Sequence, residues 1–417
     1  MFFRRYLWLI TKNPKLLSFG FLMVFFSSIG QTFFVGVFGP SIQYEFNLSH
    51  TVWGSVYMIG TLASALVFFL TGPLIDTYRL PSFTLSVCVF MVIACLFMPL
   101  VSNMVMLTIG IFLLRHSGQA LARHVGTISM GRYFEKGRGR ALSIAALGQP
   151  IAEAILPLLA VTMIAVFGWR MTYGYVGVAL LLLSVPLVIW LLQGYDRFHS
   201  QYICNIKNSS NEMKSNVFSW TRKMVIKDIR FYLLLPSMVA TPMIATAFFF
   251  HHLNIAVVKG WDPAWFTGNY LLYAATSIVT NVIAGAFIDR FSAKIVIQYT
   301  MVPLVLAALT IGLSNNYMWV LAYMVLLGLH VGFSQTASSA LTPELYGVEH
   351  LGSIKSMSSV LSVLSSAIGP VLIGYLLDQG ILIANICMII AVYVSIANIL
   401  LVVGLRIRTA YMISLNQ

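Results

Sequence analysis

Arg115 and Glu153 are ionisable side chains standing in the middle of long apolar runs, and that placement makes them the first candidates for chemistry. A charge at the centre of a hydrocarbon layer is expensive, so such a residue turns toward a partner or a polar cavity. Arg115 lies in the run 104–129 and Glu153 in the run 140–163. Running antiparallel, the two reach similar depth. Either they pair with each other, or Arg115 meets an anionic ligand while Glu153 takes up and releases a proton. A carboxylate that loses its cation in a low-dielectric site gains affinity for a proton, so proton exchange hinges on whether such a pair opens. A permanent buried ion pair with a structural role only is the plainer alternative.

Other polar residues in apolar runs extend this set. Arg123 follows Arg115 by two turns on a similar face, where it either continues a basic stripe or snorkels to the inner interface. The adjacent His116 points elsewhere and reads as structural. His330, in the run 317–340, is a proton carrier or an ordinary packing histidine. Gln31, in Gly30-Gln-Thr-Phe-Phe-Val-Gly36, is a hydrogen-bonding candidate, with Tyr270, Tyr273 and Asn281 as weaker ones. His251 and His252, followed by Asn254, end the run 230–254 as a gate or as a wet interfacial pair. No Ser/His/Asp set, paired carboxylates or His/Glu metal motif occurs, so an enzyme is not expected. The four cysteines (Cys88, Cys95, Cys204, Cys387) are scattered, and no phosphate-binding Gly-x-x-x-x-Gly-Lys-Ser/Thr stretch exists. Neither cofactor, metal site nor disulfide is expected, and the driving force for any vectorial work is a gradient.

The elements that must position these residues follow from composition. Of 417 residues, 59% are hydrophobic and 9% charged, which excludes a water-soluble surface. About twelve apolar runs are long enough to cross roughly 30 Å of hydrocarbon as helices. Their limits are 17–41, 50–72, 82–101, 104–129, 140–163, 169–192, 230–254, 264–288, 294–313, 317–340, 354–376 and 381–404, numbered here as segments 1 to 12. Runs this long and continuous are not barrel strands. The fold class is therefore an all-α polytopic membrane protein. With both termini on the cytoplasmic side, 21 of the 25 Lys and Arg fall on that side, against Arg170 and Lys259 outside. Topology thus explains the net charge of +13, and no nucleic-acid partner is implied. Contact with anionic lipid is the modest extra reading.

One punctuation pattern occurs twice. Gly72-Pro-Leu-Ile-Asp76 returns as Gly285-Ala-Phe-Ile-Asp289, Gly139 returns as Gly352, and Pro157 returns as Pro370, each offset by 213 residues. A repeat at half the chain length implies two homologous bundles. The expected layout is an interfacial lead-in (1–16), a six-helix half (17–192), a polar basic linker (193–229), a second six-helix half (230–405) and a short tail (406–417). Asp76 and Asp289, just past cytoplasmic helix ends, could each face a helix N-terminus or an arginine such as Arg132, forming a latch that makes and breaks. Ordinary solvated loop carboxylates are the alternative. Gly148, Pro150 and Pro157 in segment 5, matched by Gly369 and Pro370 in segment 11, mark kinked, closely packed helices suited to a rocking motion or to passive packing.

On these loops, in register with twelve spans and a half-length repeat, the whole chain resembles the major facilitator superfamily of secondary transporters. The second loop, Gly285 to Lys294, keeps the family's aspartate, the following Arg290 and a basic end. The first has Thr77, Arg79 and Pro81 where the family pattern differs. Arg115, with Gln119 beyond it, is similar to the superfamily's segment 4 motif. Arg132-Tyr-Phe-Glu-Lys-Gly-Arg-Gly-Arg-Ala141, Gly168-Trp-Arg170 and His350-Leu-Gly-Ser-Ile-Lys355 resemble the monocarboxylate-porter and oxalate/formate-exchanger branch. The resemblance implies two pseudo-symmetric halves around a cavity and alternating access. Because the one clear charge inside the first half is cationic, a small organic anion is the expected cargo, with proton symport through Glu153 or His330; short loops favour a bacterial plasma membrane, and a monomer is expected. Export of an amphipathic metabolite, siderophore-like chelator or drug is the main rival, and a receptor without flux is the reading from another class.

Overall fold

The computed structural model describes residues 11, 13–134, 137–196, 200, 220–347 and 351–407. All regular structure among the described residues is helical. Eleven stretches are long and apolar enough to span a bilayer: Pro14–Val37, His50–Thr77, Leu80–Leu100, Met104–Tyr133, Gly139–Leu191, Ile229–Val258, Pro263–Phe291, Ala293–Leu313, Trp319–Tyr346, Ile354–Asp378 and Ile383–Arg406. The fifth is 53 residues long. At about 1.5 Å per residue it exceeds two bilayer thicknesses. It breaks at Gly168, whose φ of 74° and ψ of 164° belong to a region open essentially to glycine alone. This stretch therefore holds segments 5 and 6, and the twelve spans read from the apolar runs are present.

Polar side chains start several helices. Ser49, Asn103 and Asp262 accept hydrogen bonds from the backbone N–H groups of Val52, Met106 and Trp265, satisfying donors that a helix start leaves orphaned. Large apolar side chains such as Leu66, Leu70, Val166, Leu182 and Val282 stand exposed, as a lipid-facing surface requires.

The chain divides into two compact units, one of Met1–Ser215 with Phe249–Leu271 and the other of Asn216–Phe248 with Leu272–Gln417. In the first unit, segment 1 packs on segments 4 and 5. Segment 3 lies against segment 6, where Gly177 faces Leu96 and Cys95. In the second, segment 9 packs on segments 10 and 12, and Gly312 meets Cys387. Small residues let these backbones come together where lipid supplies no hydrophobic drive between helices.

One sequence expectation changes. Asp76 does sit past a helix end, in the short Leu74–Thr77 turn, but Asp289 lies inside the last turn of the helix Tyr270–Phe291. Arg230, at the start of segment 7, pairs with Asp228 at 2.7 Å, both buried. The adjoining Arg222–Lys227 helix seats Val225 in the core of the second unit. The rest of the linker that falls in 201–219, including Cys204, lies outside the described residues, as do Lys136 and His350.

Candidate functional site

Segment 1 is broken at mid-depth. Its first helix, Pro14–Ser27, tightens into a 3-10 turn at Ser28–Gly30; Gln31 is extended (φ −84°, ψ 157°), and helix resumes at Thr32–Val37. Segment 4 is irregular at the same level, with a π-helical stretch Arg115–Ala122 between two α-helices. Wide turns of this kind within an α-helix frequently mark functional sites. The two irregularities cross at glycines. A Cβ on Gly118 would stand 2.7 Å from the Gly30 nitrogen and 2.8 Å from its Cα. No other residue fits there without parting the helices.

Arg115 serves this crossing. Its Nη1 donates to the Gly30 carbonyl at 3.0 Å and reaches the Thr32 hydroxyl at 3.4 Å, and the guanidinium lies 4.9 Å from the centre of the Tyr57 ring. Tyr57 and Thr32 share a hydroxyl hydrogen bond of 2.5 Å. The Gly30 carbonyl ends a broken helix and has lost its next intrahelical donor, so a charged donor is a strong substitute. Arg115 is 1% exposed, and its Nε is buried without a partner. Gln31, 6% exposed, likewise has a buried Nε2 with no partner.

No Arg115–Glu153 pair exists among the described ion pairs. Segment 1 instead engages the guanidinium at Nη1, through a carbonyl and a hydroxyl. Glu153, 5% exposed, instead accepts a hydrogen bond of 2.8 Å from Gln149 Nε2, one turn earlier on the same helix. Its charged neighbour is Arg123, and that of Arg123 is Glu153. Arg123 is half-buried, and its guanidinium shows no hydrogen bond or ion pair among the described residues. Pro157 withholds the N–H that would bond the Glu153 carbonyl. Pro150 does the same to Ala146, where the helices Arg138–Ala146 and Gly148–Leu191 divide at Leu147. Gly148 packs on the segment 1 backbone at Phe21 and Phe25, and Gly369, before Pro370, packs on Met243 of segment 7.

In the second unit His330 is fully buried, and its Nδ1 donates to the Thr300 carbonyl at 2.7 Å. Asn281 donates to Gln335 at 3.4 Å and accepts from Thr336 at 2.9 Å. His116 sits between Ser64 and Thr71 hydroxyls, 3.4 and 3.2 Å away.

The repeated loops are tied in opposite polarity. After Gly72, Asp76 pairs with Arg132 of segment 4, which also donates to the Ile75 carbonyl. After Gly285, the Asp289 carboxylate has no partner among the described residues, and the Arg290 guanidinium lies over the Phe291 ring. There Glu344, at the end of segment 10, holds the loop by accepting from the Ser292 hydroxyl at 2.6 Å and the Ala293 N–H at 2.9 Å, with Lys294 4.0 Å away. Ser292 adopts φ 77°, a strained backbone that this carboxylate clamps.

At the opposite face, Glu45 accepts from Arg170 Nη2 at 2.6 Å and from Trp169 Nε1 at 2.5 Å, and Arg170 reaches on to the Pro99 carbonyl at 2.6 Å. The Arg170 hydrogen bond holds the Glu45 carboxyl below its ordinary pKa, with Trp169 helping and partial burial opposing. His251 and His252 are not wet, because both are fully buried. His252 Nδ1 meets the Tyr270 hydroxyl at 2.7 Å.

The family model for the Major Facilitator Superfamily matches residues 20–370 and, a second time, 237–411. The chain belongs to this superfamily. No curated protein matches the sequence. Among solved structures, the fold is similar to that of the nucleoside transporter NupG, with a TM-score of 0.69 and 14% identity over 94% of this chain and 100% of that one. It is also similar to a bacterial homolog of the human lysosomal transporter Spinster in an inward-facing and unoccupied conformation, with a TM-score of 0.66 and 13% identity over 94% of each chain. Membership makes this a multi-pass membrane transporter of a small molecule, and not an enzyme.

Several residues of this superfamily member escaped the sequence reading. Gln149 was legible as an amide one turn before an intramembrane acid. Glu45 could have been matched to Arg170 as an acid near the same end of the bundle. Gln43, His50 and Glu344 carried no local signal, because their partners come from segments distant in the chain.

Proposed function

We propose that this transporter is a secondary carrier working by alternating access, in which Arg123 binds a small organic anion and Glu153 carries the coupled proton. The observation that supports this reading is the division of labour between the two intramembrane arginines. Arg115 is engaged at Nη1 by the segment 1 carbonyl and hydroxyl and holds the break that presents Gln31. The Arg123 guanidinium carries no hydrogen bond among the described residues and faces a carboxyl whose donor is a neutral amide. In the empty site the two charges balance. An anion taking Arg123 leaves Glu153 uncompensated in a low-dielectric setting, and a proton restores neutrality. Anion and proton then cross together. His330 is the second proton candidate, with its Nδ1 engaged by the Thr300 carbonyl.

The Asp76–Arg132 pair acts in this reading as a latch of one conformation, with Gly72, Gly285, Asp289 and Arg290 as its repeated frame. Pro157 and Pro370 supply the bends on which helices rock. The resemblance to the monocarboxylate-porter and oxalate/formate-exchanger branch favours a carboxylate cargo. A bacterial inner membrane, a monomer and termini on the basic, cytoplasmic side complete the proposal. Counterflow in proteoliposomes with a panel of labelled carboxylates, metabolites and chelators tests it. Anion exchange should be lost in Arg123→Ala and partly kept in Arg123→Lys. Anion exchange retained in Arg123→Ala, or uptake of neutral or cationic cargo alone, would move the reading to an exporter of amphipathic compounds.

A further inference from the structure

We infer that the outer ends of segments 1, 2 and 7 form a proton-sensitive lock, which is closed while His50 and His251 are neutral and released when acid on that face charges them. The lock goes beyond the cargo and coupling proposed above and depends on neither. Its parts converge on one amide within the first compact unit. Asn254 Nδ2 donates to Gln43 Oε1 at 3.0 Å and lies 3.4 Å from both His50 Nδ1 and His251 Nδ1. Gln43 Nε2 lies 3.0 Å from the same His50 Nδ1. Two amide donors thus aim at ring nitrogens that must present lone pairs. Beneath them Phe250 stacks on Trp53 at 5.2 Å and leans on Tyr57 at 4.7 Å. The segment 1 backbone reaches the same level, where a Cβ on Gly36 would stand 3.0 Å from the Phe250 Cα.

Protonating His50 Nδ1 turns an acceptor into a donor facing donors. Rotating one amide only moves the conflict, because a turned Gln43 presents its NH₂ to the Asn254 NH₂. Rotating both satisfies the hydrogen bonds only with a proton on Nδ1 of each ring. When those protons charge both rings, they repel at a centroid separation of 6.0 Å. The charged and titratable groups on neighbouring elements are His252, bonded to Tyr270; Glu45, committed to Arg170 and Trp169; Lys259, over the Trp261 ring; and Asp262, capping the Trp265 N–H. Opening exposes the imidazoles to water and relieves the repulsion, so protons bind the open form more tightly and shift the population toward it.

Hydrogen exchange on the purified full-length protein reads the lock without transport. Peptides covering 40–57 and 247–262 would be followed at pH 7.5 and 5.5, with times corrected for intrinsic chemistry and peptides from 300–330 as internal reference. The wild type should lose about tenfold protection in acid in those two regions only. His50→Gln/His251→Gln, whose amides cannot be protonated at these pH values, should show no acid response. Asn254→Asp, which offers a carboxylate to charged imidazoles, should abolish or reverse it, and this variant decides the matter if the double variant does not fold. Unchanged wild-type protection between the two pH values, or an acid response kept in both variants, would overturn the lock.

Discussion

Gly118→Ala is the substitution whose effect the geometry sizes most directly. The added methyl would lie 2.7 Å from the Gly30 nitrogen, 2.8 Å from its Cα and 3.0 Å from the Ser27 carbonyl oxygen. Backbone atoms cannot rotate away, so segments 1 and 4 must part by about 0.6 to 0.8 Å to restore ordinary contact near 3.5 Å. That shift carries the 3.0 Å bond from Arg115 Nη1 to the Gly30 carbonyl past hydrogen-bonding range. Overpacking of this kind costs about 1–3 kcal/mol, and the lost bond about 1 kcal/mol more. We expect a destabilisation of about 2–4 kcal/mol, read as a lowered thermal midpoint in detergent. Gly131→Ala is the matched control on the same segment. Nothing lies within 4 Å of its Cβ position, so it should be neutral or stabilise by up to about 1 kcal/mol through helix propensity. If Gly118→Ala melted with the wild type, the close crossing and the role given to Arg115 would both be wrong.

The Asp76–Arg132 and Glu45–Arg170 pairs give two further expectations. The Asp76–Arg132 side chains are 65% and 15% exposed, so the pair contributes about 0.2–1 kcal/mol. Asp76→Asn should therefore change exchange rates by no more than about fivefold, and Asp289→Asn, without a described partner in this state, should change them less; equal effects would remove the asymmetry between the two loops. Glu45 has a depressed pKa, so its contribution is full above the unfolded-state value and disappears as pH falls through the folded value. Melting midpoints should hold above about pH 5 and fall below it, with a shallower fall in Glu45→Gln. An identical acid slope in the two proteins would deny the pair any stabilising role.

The spans were legible because lipid imposes one rule on every residue of a crossing helix, and an apolar run declares it without regard to partners. At Gly168 the two helices run on with little else to divide them, and its backbone angles mark the turn. The intramembrane charges were legible as a set, for the same reason of cost in hydrocarbon. Their partners were not. Depth along antiparallel helices placed Arg115 level with Glu153, but it could not foresee that segment 1 breaks at Gln31 and offers a free carbonyl at the same level. The reversed polarity of the loops was hidden in the same way, since Glu344 lies far along the chain from Ser292 and no spacing rule joins them. Likewise, His251 and His252 looked wet from their position near a helix end, whereas packing by Gln43, His50, Asn254 and Tyr270 buries them.

The most direct test of the account separates exchange from accumulation in Glu153→Gln. Counterflow needs only that the loaded carrier reorient, whereas uphill uptake needs the proton. In proteoliposomes the variant should keep anion counterflow within severalfold of wild type and lose accumulation driven by a pH gradient. Accumulation retained in Glu153→Gln would contradict the assignment of the coupled proton to Glu153.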